Sequence, residues 1–351
     1  MKATKPTPTL YDVAAKSGVS TATVSRCLNF PDQVTERTRD KVMIAVNALG
    51  YSPNFGARVM AARRTNTIGA IIPTMENAIF ARGLQAFQEE LRLHGFTLLV
   101  ASSSYKPEME EEQIRTLVAR GADALLLIGH DRRPEIYDFL ETQQVPVLVT
   151  WAFDRAQARP SVGFDNRSAM RHMARAVIGM GHRNLALISA EVSQNDRARE
   201  RLEGIKEAMI ETGLDIADLE IVMTHYGIDN GAAAFEQLMQ SPTKATAVFC
   251  GNDVLAVGAL RAAQVLGLNV PGDVSIIGFD DIELAQVAYP PLTTVHVPHR
   301  EMGKRAARAL VNLLLGGGPI EPQELASELR MRSSLGPPPG YQDIKALEDT
   351  V

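Results

Sequence analysis

The sequence is poor in several things, and each shortage narrows the reading. It holds two cysteines in 351 residues, Cys27 and Cys250, far apart in the chain. That spacing gives no disulfide framework and no zinc site, and it fits a reducing compartment. Aromatic residues make up 5%, and tryptophan occurs once, as Trp151. No run of 18 apolar residues is present, so no membrane span is expected. Met1 to Tyr11 is polar and rich in Pro and Thr, so no secretory leader is expected and a cytoplasmic location is. Catalytic signatures are missing too: no Gly-x-Gly-x-x-Gly after a strand, no P-loop, no Gly-x-Ser-x-Gly elbow and no HExxH. His172, His182, His225, His296 and His299 are scattered, and Met302-Gly303-Lys304 lacks the upstream glycine of a P-loop. Neither an enzyme nor a resident metal or cofactor is expected.

What is present reads as globular: 45% of residues are hydrophobic and 22% charged. The length is too great for one ordinary core and suggests two or three domains. The net charge of −5 is unevenly spread, because residues 1–66 carry ten Lys/Arg against four Asp/Glu. That segment is +6 and the remainder −11. A basic head on an acidic body points to a polyanionic partner for the head alone, with a solvated basic surface as the plainer alternative.

The head reads as three short helices. Leu10, Val13 and Ala14 fall on one face, and Gly18 breaks the run. Ser20 is a good N-cap for a second helix, Thr21 to Leu28, with Val24, Cys27 and Leu28 as its apolar side. A third opens at Thr35 or Glu36, carries Val42, Val46 and Leu49, and stops at Gly50. Two helices joined through a glycine match helix-turn-helix geometry, in which the second helix enters the major groove. Thr21, Ala22 and Arg26 lie away from Val24 and Leu28, and Arg26 suits guanine, or else a phosphate or a plain surface position.

The segment Thr9 to Asn29 closely resembles the head of the LacI family of bacterial transcription regulators, and Tyr51 to Met60 resembles that family's hinge. Ser17 and Cys27 are mild departures. Met60 stands in the place of the family's usual minor-groove wedge leucine. The resemblance implies that residues 52 to about 62 form a helix only on operator DNA; alone, so short a helix does not persist in water. It implies a DNA-contacting set of Thr9, Tyr11, Ser20, Thr21, Ala22, Thr23, Ser25, Arg26, Asn29, Tyr51, Asn54, Ala57, Arg58 and Met60.

The body alternates strand-like and helical runs. Candidate strands are Ile68–Pro73, Thr97–Ala101, Ala124–Ile128, Val145–Thr150 and Val162–Phe164, then Leu185–Ser189, Ile221–Thr224, Ala247–Cys250, Val274–Phe279 and Thr294–Val297. Apolar runs of this kind are expected of parallel strands covered on both faces, and their alternation with helices means a doubly wound α/β body with two sheets. Ligands in such folds sit beyond the carboxyl ends of strands. The residues there include Ile79 and Phe80, His130, Trp151, Asp165, Arg197, Arg199 and Arg201, Tyr226, Asn252 and Asp280. Singly, each reads as a cap or turn residue; jointly, they suggest a polar cleft with aromatic walls.

The LacI-family resemblance extends over this body. Gly181-His182-Arg183, Gly251 to Gly258, Gly278-Phe279-Asp280-Asp281 and Tyr289 to Val295 look like its landmarks, so that with the head it covers about residues 9–336. It implies a two-lobed core like periplasmic sugar-binding proteins, crossed by three chain segments, with effector contacts at Ile79, Phe80, Trp151, Arg201, Tyr226, Asn252 and Asp280. His130 and Asp165 join that set from their places after strands. Trp151 stands where several members carry Asp, so the effector is not expected to match theirs. Tyr105 to Glu110 and Val162 to Asn166 resemble the gluconate-operon repressor subgroup, which hints at a sugar acid.

The expected organisation is a head at 1–51, a hinge at 52–66, a core at 67–338 and a tail at 339–351. The core divides into an N-lobe (67–165 and 297–324) and a C-lobe (166–296 and 325–338). The tail lacks the family's tetramer-forming leucine heptads, so a homodimer on near-palindromic double-stranded operator DNA is expected. The function implied is a repressor answering to a sugar or sugar acid. The alternative is a solute-binding protein without a transcriptional role, which leaves the basic head unexplained.

Overall fold

The computed structural model describes residues 7–52, 64–157 and 159–340. The chain divides into two compact units, Met1–Asn66 and Thr67–Val351.

In the first unit, helix α1 (Leu10–Ser17) starts in a capping box. The Thr9 hydroxyl accepts from the Asp12 N–H at 3.3 Å, and the Asp12 carboxylate accepts from the Thr9 N–H at 2.8 Å. Gly18 ends the helix at φ 68°, a left-handed conformation that glycine adopts without a Cβ penalty. Helix α2 (Thr21–Asn29) is capped by the Ser20 hydroxyl, which accepts from the Thr23 N–H at 3.1 Å. Helix α3 (Glu36–Leu49) closes the bundle over Val13, Ala14, Val24, Cys27, Val42, Ala45 and Val46. Leu10, Leu28, Leu49 and Tyr51 pack at the edge of this core. Asn54, Ala57, Arg58, Met60 and most of the helix expected over 52–62 lie outside the described residues, as does the tail beyond residue 340.

The second unit holds two parallel sheets. Strands β1 (Thr67–Ile72), β2 (Thr97–Ser102), β3 (Ala124–Ile128), β4 (Val147–Thr150), β5 (Ser161–Gly163) and β11 (Gln323–Glu324) form the first. Its order is β11-β5-β4-β3-β1-β2. Strands β6 (Leu185–Ser189), β7 (Glu220–Met223), β8 (Ala247–Cys250) and β9 (Ser275–Ile277) form the second, in the order β7-β6-β8-β9. Central strands such as β3 and β8 are buried throughout, as their unbroken apolar runs require. The edge strands β2 and β7 differ from expectation: no residue of either is fully buried, because an edge lacks a neighbour and part of its cover. The run at Thr294 is also corrected. Strand β10 (Thr294–His296) pairs antiparallel with β12 (Glu328–Arg330), and segment 293–296 touches the second sheet only through the bridges Ile277–Thr293 and Asp280–His296.

Helices α4 (Ala78–Leu93), α5 (Pro107–Ala119) and α6 (Pro134–Thr142) belong to the first lobe, together with α12 (His299–Leu314). Helices α7 (Asn166–Gly179), α8 (Asp196–Glu211), α9 (Ile228–Met239) and α10 (Asp253–Val265) belong to the second, followed by the short α11 (Glu283–Val287). The backbones of α4 and α12 meet at two glycines, since a Cβ on Gly303 would run into the Gly83 carbonyl. The chain passes between the lobes after β5, after β10 and after β11. One apolar core spans the crossing region, with Phe80, Trp151 and Phe164 from the first lobe and Met170 and Phe279 from the second. Among the described residues no helix is long and apolar enough to cross a membrane.

Candidate functional site

The residues that follow the strands of both sheets converge on an inner pocket of the second unit. Ile79 and Phe80 come after β1, Trp151 after β4, Arg201 after β6, Tyr226 after β7, Asn252 after β8 and Asp280 after β9; all seven line it. Asn77, Tyr105, Phe164, Asn195 and Arg197 complete the lining. Its volume is about 20 Å³, room for a water molecule rather than a sugar ring. Outside it lies a larger cleft of about 890 Å³, bounded by Thr74, Lys106, Glu191, His225 and again Tyr105, Tyr226 and Asn252.

Local structure explains how these side chains are aimed. Asn252 caps α10, its Oδ1 accepting from the Leu255 N–H at 2.9 Å, which leaves the amide nitrogen to face the pocket. Arg201 is buried on α8, where it donates to Asn166 Oδ1 at 3.1 Å and to the Tyr226 hydroxyl at 3.3 Å. Its guanidinium lies 4.7 Å from the centre of the Phe279 ring, a cation–π contact. Trp151 packs against Phe80 at 5.4 Å between centroids, and a Cβ at Gly83 would collide with its indole. Three lining residues stand in the left-handed region that bulky residues avoid: Tyr105 (φ 57°), Trp151 (φ 60°) and Asp280 (φ 107°). Strain of this kind persists where the surroundings impose it, and it clusters at ligand sites.

Three side-chain donors of the pocket's residues are unsatisfied. Trp151 Nε1, Asn252 Nδ2 and Arg201 Nε are buried donors with no partner among the described residues. An unmet buried donor costs about 1–3 kcal/mol, so three around one pocket mark a place for acceptors. The Asp280 carboxylate is the matching acceptor. Burial pushes its pKa up to about 7, against the pull of Arg201 and Arg197. Asp280 and Arg201 form no ion pair with each other; Arg201 is instead spent on Asn166, Tyr226 and the Phe279 face. Asp253, beside Asn252, is structural: it accepts from the Thr294 hydroxyl at 2.6 Å and from the Ile282 N–H at 2.8 Å.

His130 and Asp165, placed in the same cleft on sequence grounds, lie elsewhere. Both line a separate polar cavity of about 470 Å³ with Asp154, Arg167, Arg199 and Glu200. The physical reason is that Asp165 turns away to cap α7, accepting from the Ser168 N–H at 2.9 Å. His130 is fixed through its backbone N–H, which donates to Asp196 Oδ2 at 2.5 Å. Near it Arg199 clamps Asp131 with two bonds of 2.7 and 2.8 Å, tying the lobes together. Sequence reasoning left Asn77, Tyr105, Phe164, Asn195 and Arg197 out of the contact set. Arg197 was visible at the helix mouth after β6, but nothing in one sequence separates it from Arg199, which pairs away.

In the head, Thr21, Ala22 and Arg26 project from α2 opposite the buried Val24 and Cys27, and Tyr11 is exposed on α1. Thr9 and Ser20 are engaged as caps, Thr23 bonds to Ser20, and the Asn29 amide donates to the Ser25 hydroxyl at 3.3 Å.

Comparison with known proteins supports both units. A family model described as bacterial regulatory proteins, lacI family, matches residues 9–54, and a periplasmic binding protein-like domain matches residues 174–335. Catabolite control protein A of Priestia megaterium is 32% identical over 306 residues, which is 87% of this chain and 92% of that protein. The HTH-type transcriptional regulator GntR of Escherichia coli K12 is 33% identical over 312 residues, 89% of this chain and 93% of its own. The lac repressor dimer solved with operator and the anti-inducer ONPF superimposes with a TM-score of 0.82 at 26% identity, covering 93% of this chain and 99% of that one.

Proposed function

This chain belongs to the LacI family of bacterial regulatory proteins, and from that premise we propose that a small polyhydroxy effector in the inner pocket controls its hold on DNA. The protein is a DNA-binding transcriptional regulator, and we read it as a repressor of genes for the use of a carbohydrate or sugar acid. The observation that carries the effector reading is the set of orphaned donors, Trp151 Nε1, Asn252 Nδ2 and Arg201 Nε, around the Asp280 carboxylate. Hydroxyl groups answer both needs at once, since each can accept and donate. A neutral sugar fits this set. So does a sugar acid with its carboxylate at the Arg201 and Arg197 end and its hydroxyls at Asp280, where a second carboxylate would be repelled.

For the head, we assign Thr21, Ala22 and Arg26 to base edges, and Thr9, Tyr11, Ser20, Thr23, Ser25, Asn29 and Tyr51 to the neighbouring backbone. Asn54, Ala57, Arg58 and Met60 are assigned to the minor groove on sequence grounds alone. A homodimer presents two heads to a near-palindromic operator, as two-fold symmetry requires. The proposed limits are those of a head to residue 51, a hinge to 66 and lobes exchanging at 165–166, 296–297 and 324–325. No catalytic step, metal or resident cofactor is assigned, and a cytoplasmic location suits a DNA-binding role. A solute-binding protein without a transcriptional role is disfavoured by the exposed, basic helix-turn-helix face.

The test is a thermal-shift panel of sugars, sugar acids and purines on the full chain, followed by gel shifts with any ligand that scores. A ligand at a hundred times its Kd adds about 2.7 kcal/mol of stability. A panel in which only purines shift the melt would sink the polyhydroxy reading.

A further inference from the structure

Tyr105 lines the inner pocket between the lobes. Its ring lines both the inner pocket and the outer cleft, so it forms the wall between them. The ring packs on Tyr226 of the opposite lobe with centroids 5.5 Å apart and planes inclined by 44°. Its hydroxyl lies within electrostatic reach of Arg197, Arg201 and Asp280, and among the described residues no hydrogen bond holds it. With that phenol in place the inner pocket keeps about 20 Å³, while the cleft on its outer side offers about 890 Å³. Tyr105 follows Ser104, and the two hold φ 57° and 52°, successive non-glycine residues in the left-handed region. A ring held there by contacts across the cleft, on a strained backbone and beside open space, has both a reason and a direction to move.

We propose that Tyr105 is the specificity-determining gate of the effector pocket. Packed on Tyr226, its ring closes the inner pocket; it swings toward the outer cleft to admit a ligand, and limits entry to molecules that fit beside the displaced ring. This rests on the inner pocket being the effector site. Tyr105 lines pocket and cleft alike, and a ligand would meet its ring edge only once the ring has moved.

Trp151 makes the gate measurable without any ligand. It is the chain's one tryptophan, it lines the same pocket, and it is 2% exposed. In the full-length protein, Tyr105→Ala should raise the acrylamide quenching constant of Trp151 fluorescence by about twofold or more, because opening a closed site admits solvent. Tyr105→Phe, which keeps the ring, should leave it unchanged. Should Tyr105→Ala fail to fold, Tyr105→Leu keeps an apolar contact on Tyr226 and carries the same expectation. A folded Ala or Leu variant with wild-type quenching overturns the gate, and so does a Phe variant quenched as strongly as Ala. The sugar panel run on the Ala variant should gain bulkier members such as phenyl glycosides; unchanged membership overturns the specificity role. The quenching result does not depend on a ligand, so its failure is distinct from a panel in which no sugar binds at all.

Discussion

His299 donates its Nε2–H to the main-chain carbonyl of Asp280, 3.2 Å away. The bond ties the second lobe crossing to the end of β9, where the pocket's carboxylate stands. The same imidazole stacks on Trp151, with centroids 6.2 Å apart and planes 24° from parallel. One side chain on the crossing segment thus contacts two pocket residues from different lobes. Because a carbonyl can only accept, Nε2 carries the proton, and Nδ1 is left buried without a partner.

That geometry has a pH signature. Burial pulls the His299 pKa down from 6.5 to about 4. Between those values the unfolded chain binds more protons at this site than the folded one, so stability is full above the unfolded pKa and is lost as pH falls toward the folded one. The full swing is about 3 kcal/mol, of which roughly 2 kcal/mol falls between pH 7 and 5. His299→Gln should lose this rise, so its stability should fall more steeply with rising pH than the wild type's over that interval, where the opposite contribution of Asp280 remains. Equal slopes for wild type and variant in melts from pH 5 to 7.5 would mean that His299 is not held neutral.

Asp280 titrates with the opposite sign. Its carboxyl is raised from 3.8 to about 7, so the folded chain holds the extra proton, and the benefit of that proton is lost as pH rises through 7. Ligand binding should run the other way, since hydroxyl donors prefer the ionised carboxylate. Effector affinity is expected to rise between pH 6 and 8, by up to about tenfold per unit at the acid end. Asp280→Asn should remove that slope and weaken binding while leaving operator affinity unchanged in the absence of effector. Calorimetric titrations at three pH values decide it; a pH-independent wild type would place the ligand's hydroxyls away from Asp280.

The fold was legible because its signals are long-range in pattern and local in cause. Buried strands such as Ala124–Ile128 are unbroken apolar runs, and Ser20, Asp165 and Asn252 are caps by chemistry. The strands at Gln323–Glu324 and Glu328–Arg330 were not, because two or three residues are too few to show a period. The site was legible as far as strand ends predict a cleft, which is why residues from Ile79 to Asp280 share one pocket. His130 and Asp165 sit at equivalent places in the chain, yet their direction is set by Asp196 and by a helix cap, partners that appear only in three dimensions. Tyr105 had the same obstacle, since its backbone turn, not its position after β2, aims it inward.

Arg26 should separate reading from mere holding of DNA. It is exposed in the last turn of α2, with no protein partner to spend its guanidinium on among the described residues. If it pairs with a guanine edge, Arg26→Ala should cost about 1–3 kcal/mol on operator and much less on scrambled DNA. Gel shifts at matched salt measure both. An equal loss on the two sequences would make Arg26 a phosphate contact.

The dimer should depend on an apolar face of the second lobe. Helix α10 packs on α11, and the two present exposed apolar side chains: Val265 and Leu266 at the end of one, Leu284 and Val287 on the other. Tyr289, two residues further on, is 94% exposed and Val287 77%. Large apolar groups so exposed cost solubility unless a partner covers them. Tyr289→Asp places a carboxylate where a second copy would have to desolvate it, which a buried contact does not tolerate. Sedimentation should then show a monomer at concentrations where wild type is dimeric. Operator affinity should fall by about a hundredfold or more, because the second head no longer binds at high effective concentration. Effector binding should persist, since Tyr289 does not line the inner pocket. A Tyr289→Asp variant that remains a dimer with wild-type operator affinity would move the interface to another face of the core.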